Sequence, residues 1–364
     1  MTSSPPDADR PPLVPAVLSR RALLGAALAG LGALVAGPAL ARSAPARKAK
    51  QDPRALKVRD IETQKGLGYT LTLELEKAPF PHRGARYRDA TVLVFVPHYY
   101  RVRAGLRVDT LVHFHGYRDT AREAMLRHQM REQLVASGQN AVAIFPQGPV
   151  RAEDMSGGKL DEPGGLLALL TEVREVLQLP SIQSRLGRAA IPARARMGRC
   201  ILSAHSGGFR VVANCLQVGA WNVNEVYLFD ALYGKVDVFR DWLSATWRRR
   251  GPSFERHKLV SFFSGATPVA ENRRLMGMLD KGGMRYVSDQ LDGAKMSKRD
   301  LTNARAVFIR TSSSHDRVLF RTQAMRDCLF ASCLERHVRS DWHKKPDATR
   351  FGESPTPKLA RDRR

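Results

Sequence analysis

The sequence predicts an α/β fold: a doubly wound, mostly parallel sheet with helices on both faces. Three observations predict it. Uniformly apolar runs such as Thr91 to Val96 (TVLVFV), Ala141 to Phe145 (AVAIF) and Leu259 to Phe263 (LVSFF) read as strands buried on both sides, the pattern of parallel sheets. Helical segments separate those runs. Each chemically interesting residue follows a strand, which is where the functional loops of such sheets gather.

Taken in order, residues 1–41 read as an export signal rather than part of the fold. Ser19-Arg20-Arg21 precedes an apolar stretch from Ala22 to Ala36, and Ala39-Leu40-Ala41 offers a small-residue cleavage site. The paired arginines resemble a twin-arginine signal, which implies a periplasmic or extracellular protein, or a membrane-anchored one if the signal is not cleaved. Residues 42–55 are polar and basic and read as a linker. The folded domain is expected over 56–340, with room for a lid or cap within 231–305. The basic stretch 341–364 reads as a disordered tail.

Within the domain, further strands are expected at Tyr69 to Glu76, Leu111 to Phe114, Glu225 to Phe229 and Ala306 to Arg310. Helices are expected at Ala121 to Ala136, Leu166 to Leu179, Val238 to Arg248, Arg273 to Leu279 and Phe320 to Val338. Between them, Gly198 to Arg210 reads GRCILSAHSGGFR. An apolar strand runs into a tight turn with Ser206 at its apex, and an apolar-periodic helix follows. A serine hydroxyl is a poor nucleophile, so it must stand clear of the backbone where a base reaches it. The residues two before and two after must be small for the turn to close. Here they are Ala204 and Gly208, so alanine replaces the first glycine of the usual G-x-S-x-G.

On these residues the chain resembles the α/β-hydrolases over roughly residues 88 to 335. The resemblance implies an order of nucleophile, acid, histidine along the chain. His315 follows the last expected strand in Thr311-Ser312-Ser313-Ser314-His315 and is the candidate base. Asp230 caps the strand after the Ser206 helix and is the candidate acid, with Glu271 as the alternative, because no Asp stands after the following strand. The oxyanion hole is expected from the Gly207 amide and from Gly116 or Tyr117, after the HFHG strand. His205, Arg118 and Lys159 are candidate substrate contacts. No cofactor is implied.

Other chemistries fit less well. His113 and His115 share a strand face, but the metallo-β-lactamase spacing H-x-H-x-D-H fails at Gly116 to Asp119, so no metal is expected. Ser156-Gly157-Gly158-Lys159 lacks the phosphate-loop pattern. Four cysteines make no small disulfide framework, and Cys200 and Cys215 are expected as free thiols. Of 364 residues, 59 are basic and 35 acidic, a formal charge of +24, and 45 of the basic residues are arginine. They are scattered without interleaved aromatics, so nucleic acid is not an expected partner. Contact with an anionic envelope surface is the charge-based alternative. The expectation is an exported serine hydrolase acting on a small-molecule or envelope-derived ester. Peptidase, amidase or acyltransferase action is the alternative within enzymes, and a non-catalytic binding protein is the rival outside them. Oligomeric state is not legible.

Overall fold

Strand alternation decides where the core lies. The structure, a computed structural model, describes residues 57–103, 105–290, 296–321 and 323–337; the expected export signal, linker and basic tail lie outside them. Among the described residues ten strands form one sheet. In chain order they and the helices are β1 (Val58–Gln64), β2 (Gly68–Glu74), β3 (Thr91–Pro97), β4 (Arg107–Phe114), α1 (Ala121–Arg127), α2 (Met130–Ser137) and β5 (Ala141–Pro146). Next come α3 (Gly165–Leu177), α4 (Pro180–Leu186), β6 (Arg196–His205), α5 (Phe209–Val218), β7 (Glu225–Phe229), α6 (Val236–Ser244) and β8 (Lys258–Phe263). The last elements are α7 (Ala266–Lys281), β9 (Val287–Asp289), α8 (Lys298–Asn303), β10 (Ala306–Arg310) and α9 (Ala324–Phe330).

The sheet order is β1-β2-β3-β5-β4-β6-β7-β8-β10-β9. Strands β1, β2 and β3 pair antiparallel, as do β3 and β5, and the pairs from β5 through β9 are parallel. This is the α/β-hydrolase fold, a mostly parallel sheet wound in both directions from its centre. Because side chains alternate along a strand, each central strand feeds two cores. Val92, Val94 and Val96 of β3 join one cluster with Leu169 and Val173 of α3, Val212 of α5 and Phe239 of α6. Leu93 and Phe95 join the other, with Met125 of α1, Met130 of α2 and Leu329 of α9. Each such side chain contributes about 1.5–3 kcal/mol relative to exposure, so a shift of register by one residue is strongly opposed.

Several elements depart from the sequence expectation. The helix expected over 121–136 is broken at Gln129, whose φ is +51°. The Gln133 amide closes the break by donating to the carbonyls of His128 and Leu319 at 2.7 and 3.0 Å. The helix expected over 320–338 is confined to α9. Beyond it the chain turns onto the sheet: the Cys333 N–H donates to Glu225 Oε1 at 2.6 Å and the Asn140 N–H to the Glu335 carbonyl at 2.7 Å. Residues 231–305, expected to have room for a lid, include α6, β8, α7, β9 and α8, and Phe239, Leu243, Leu275 and Leu279 among them pack into the main core. All four cysteines are buried and unpaired. Among the described residues no helix is long and apolar enough to cross a membrane.

Candidate active site

The C-terminal ends of the parallel strands bring the expected residues together. After β6, Ser206 stands at φ +53°, a left-handed conformation costing a non-glycine residue about 1–2 kcal/mol. The short turn Ser206–Gly208 then leads into α5. Gly208 is required where it is: a Cβ there would lie 2.7 Å from the Phe114 carbonyl oxygen and 3.0 Å from that of His115. The β6 strand therefore passes close against the loop after β4. Ala204, which replaces the usual glycine, is fully buried.

Asp230 ends β7, also left-handed at φ +45° and 1% exposed. Its Oδ2 accepts from His315 Nδ1 at 2.7 Å and from the Ser264 hydroxyl at 3.0 Å, while Oδ1 accepts the Ser264 N–H at 2.8 Å. Burial alone would push this carboxyl up, but the bonds from His315 and Ser264 outweigh it and hold the carboxyl below its ordinary value. Ser264 follows β8, the position where sequence offered no acid. A hydroxyl and an amide there orient an acid contributed by the neighbouring strand.

His315 follows β10 in a short turn, His315–Arg317. Its ring packs against the buried His205 ring at a centroid separation of 4.6 Å, and Tyr233 meets it edge-on at 6.4 Å. His205 Nε2–H donates to the His315 carbonyl at 2.8 Å. Sitting beside Ser206 in the chain, His205 thus ties the histidine loop to the nucleophile turn. Burial, with the neighbouring His315 charge next, lowers its imidazole to about 4, so it stays neutral.

Opposite Ser206 lies the loop after β4. A Cβ on Gly116 would be 2.8 Å from the Ser206 Cβ, so only glycine lets this loop approach. His115 fixes the loop. Its Nε2 accepts from the Gly148 N–H at 2.9 Å and the Gln147 amide at 3.0 Å, which leaves Nδ1–H to donate to the Gly116 carbonyl at 2.8 Å. The amides of Gly207, Gly116 and Tyr117 meet no acceptor among the described residues. The Tyr117 ring stands over Gly207, whose Cβ would be 2.7 Å from it, and is half exposed to solvent. Beside it an apolar hollow of only about 10 Å³ is lined by Phe114, His115, Met155, Gly157, Leu160 and Val211.

The remaining candidates have other partners. Glu271 lies on α7, 3.7 Å from Arg274, while Asp230 is the carboxylate bonded to His315. Arg118 pairs with Glu153 at the surface. Lys159 donates to the Glu76 carbonyl at 2.7 Å and borders a depression on the β2 side. His205 is 4% exposed and faces the interior. His113 bonds Ser203 Oγ at 2.8 Å and is buried; among the described residues no cluster of three His, Cys, Asp or Glu side chains forms that could hold a metal. Sequence reasoning missed Ser264, Gln147 and Tyr233. Ser264 alone had a signal, as the first residue past a predicted strand.

No family model matches the chain, and no curated protein is similar to it. The similarity to solved structures is distant. An S-formylglutathione hydrolase from Agrobacterium tumefaciens is 11% identical with a TM-score of 0.40, over 75% of this chain and 97% of that one. A ferulic acid esterase is 12% identical with a TM-score of 0.39, over 75% and 95%. FphF, a fluorophosphonate-binding serine hydrolase of Staphylococcus aureus, is 10% identical with a TM-score of 0.41, over 72% and 97%.

Proposed function

We propose that the chain is a serine hydrolase that cleaves carboxylic esters through a Ser206-His315-Asp230 triad. The observation that carries this reading is the 2.7 Å bond from His315 Nδ1 to the buried Asp230 carboxylate, beside a serine on a strained strand-to-helix turn. Asp230 holds His315 in the tautomer whose Nε2 is free to accept a proton. Ser206 Oγ attacks the ester carbonyl carbon as Nε2 takes its proton. The negative charge that develops on the carbonyl oxygen is met by the Gly207 amide and by those of the Gly116–Tyr117 turn, each donor worth about 3 kcal/mol. The imidazolium then returns its proton to the departing alkoxide, leaving an acyl-enzyme. Water repeats the sequence with the same base and releases the acid.

The exposed rim at Tyr117 and Tyr233 leaves the alcohol portion of the ester unconfined. Export is part of the proposal, on the strength of the paired arginines and cleavage site within residues 1–41. The test is covalent labelling with a fluorophosphonate probe, alongside Ser206→Ala. Labelling of the wild type and its loss in the variant is the expected result. A folded wild type that neither labels nor hydrolyses short-chain esters overturns the proposal in favour of a binding protein.

A further inference from the structure

We propose that the opposite edge of the sheet carries a second binding site: an arginine-lined groove that takes a linear polyanion with repeated phosphate groups. The groove measures about 1120 Å³ and runs across the N-terminal ends of β4, β6, β7 and β8. Ser206 lies at the far end of β6, whose ten residues span about 30 Å at the usual strand rise. Arg107, Arg194, Arg196 and Arg249 line the groove and are exposed, with Arg174 and Arg199 in its walls. Among all its lining residues Glu255 is the single carboxylate.

Two details set this apart from a merely basic surface. Arg107 and Arg196 are register partners on adjacent parallel strands, so their side chains leave the sheet on the same side about 4.8 Å apart. Like charges in that relation repel, and no carboxylate among the described residues pairs with either of them, nor with Arg194 or Arg249. In the wall, the Arg174 Nε is buried and meets no acceptor, although its terminal nitrogen is 3.6 Å from Glu175. A row of phosphate oxygens would accept from the exposed guanidinium groups and from the accessible terminal nitrogens of Arg174, and would screen the Arg107–Arg196 repulsion.

The shape selects the ligand. A concave channel fits a chain, whereas a bilayer surface is flat. Single-stranded nucleic acid would need exposed rings for its bases, and Phe254 in the groove is already covered by the Arg199 guanidinium at 4.7 Å.

The experiment is calorimetric titration of the full chain with linear inorganic polyphosphate. Four phosphate contacts predict a log–log salt slope of about −3, so that binding is about 60-fold weaker at 200 mM than at 50 mM salt. R107Q/R194Q/R196Q/R249Q is expected to weaken binding at least 50-fold at low salt. R83Q/R88Q/R273Q/R285Q, an equal charge change away from the groove, is expected to stay within threefold of wild type. All eight positions are exposed, so folding is not at stake, and ester hydrolysis is expected to be unchanged in both variants. Equal weakening in the two variants, or no polyphosphate binding by the wild type, overturns the site. Groove-dependent binding of phosphatidylglycerol vesicles or duplex DNA without binding of polyphosphate overturns the ligand assignment.

Discussion

Replacing Asp230 by asparagine changes one atom at a position where the neighbouring donors dictate how the new amide must face. The Oδ1 side receives backbone N–H groups from Ser264 at 2.8 Å and Gly265 at 3.4 Å, so an amide NH2 there would oppose two donors. The asparagine oxygen therefore stays on that side and its NH2 takes the Oδ2 place, 2.7 Å from His315 Nδ1 and 3.0 Å from the Ser264 hydroxyl. The hydroxyl can accept, so the fold is preserved. His315 Nδ1 must now accept as well, which moves the ring proton to Nε2 and removes the base from Ser206. The same exchange in the general triad costs roughly 10⁴-fold in kcat. Here the His315 side chain is 39% exposed and water can stabilise a reoriented ring, so a loss of roughly 10³- to 10⁴-fold is expected. Steady-state hydrolysis of a p-nitrophenyl ester, with the kcat and KM effects separated, is the assay. The loss should fall on kcat with KM within a few-fold, while Glu271→Gln leaves both unchanged. Retention of more than a tenth of wild-type kcat in Asp230→Asn would refute the assignment of the acid.

Gly116→Ala places a methyl 2.8 Å from the Ser206 Cβ and 3.3 Å from His205 Nδ1; displacing one oxyanion donor should cost roughly 100-fold in kcat, and the crowding should lower stability by about 1–3 kcal/mol. Gly208→Ala instead meets backbone oxygens, so it should lower stability by about 1–3 kcal/mol, read as a reduced urea midpoint. The fold should also be acid-labile. Burial, before any neighbouring charge, drives the imidazoles of His113, His128 and His205 down to about 3, about 2 and about 4. In the unfolded chain they bind protons near pH 6.5, so on acidification the unfolded state takes up more protons and stability falls from that pH downward. At pH 5 each contributes a loss of about 2 kcal/mol, about 6 kcal/mol for the three. Urea unfolding that gives the same free energy at pH 7 and pH 5 would contradict it.

Much of the sheet was legible because its strands are long apolar runs whose periodicity admits no other buried use. Glu225–Phe229 and Ala306–Arg310 fall where the sequence places them. The elements that escaped carry weaker signals. β1 is polar and half exposed, and β9 has three residues. The break at Gln129 has neither glycine nor proline to announce it. At the candidate site, Ser206, Asp230 and His315 stood out in the sequence because each lies in the turn past an expected strand, where the structure also places them. His205 was misplaced as a substrate contact, although alternation held the correction: Cys200, Leu202 and Ala204 face one core, so Ile201, Ser203 and His205 face the other. Ser264 was passed over because hydroxyls have no pattern of their own, and its role exists only once Asp230 is beside it.

The scattered arginines show the converse limit. Nothing local relates Arg107 to Arg194, Arg196 and Arg249, and a reading along the chain finds only a high charge. Parallel topology gathers them. Every crossover returns the chain to the same edge, so residues that precede strands collect at one end and residues that follow strands collect at the other. The candidate triad and the groove are thus products of one rule applied at opposite ends of β6. The rule has a consequence for the variants. The groove arginines lie about 30 Å from Ser206 by the strand rise, well beyond the screening length of about 8 Å at physiological salt. Removing their charge should therefore leave the His315–Asp230 chemistry unaltered. A change in ester hydrolysis in the groove variant and not in its equal-charge control would require the polyanion site and the serine site to share a conformational equilibrium through the β6 strand itself.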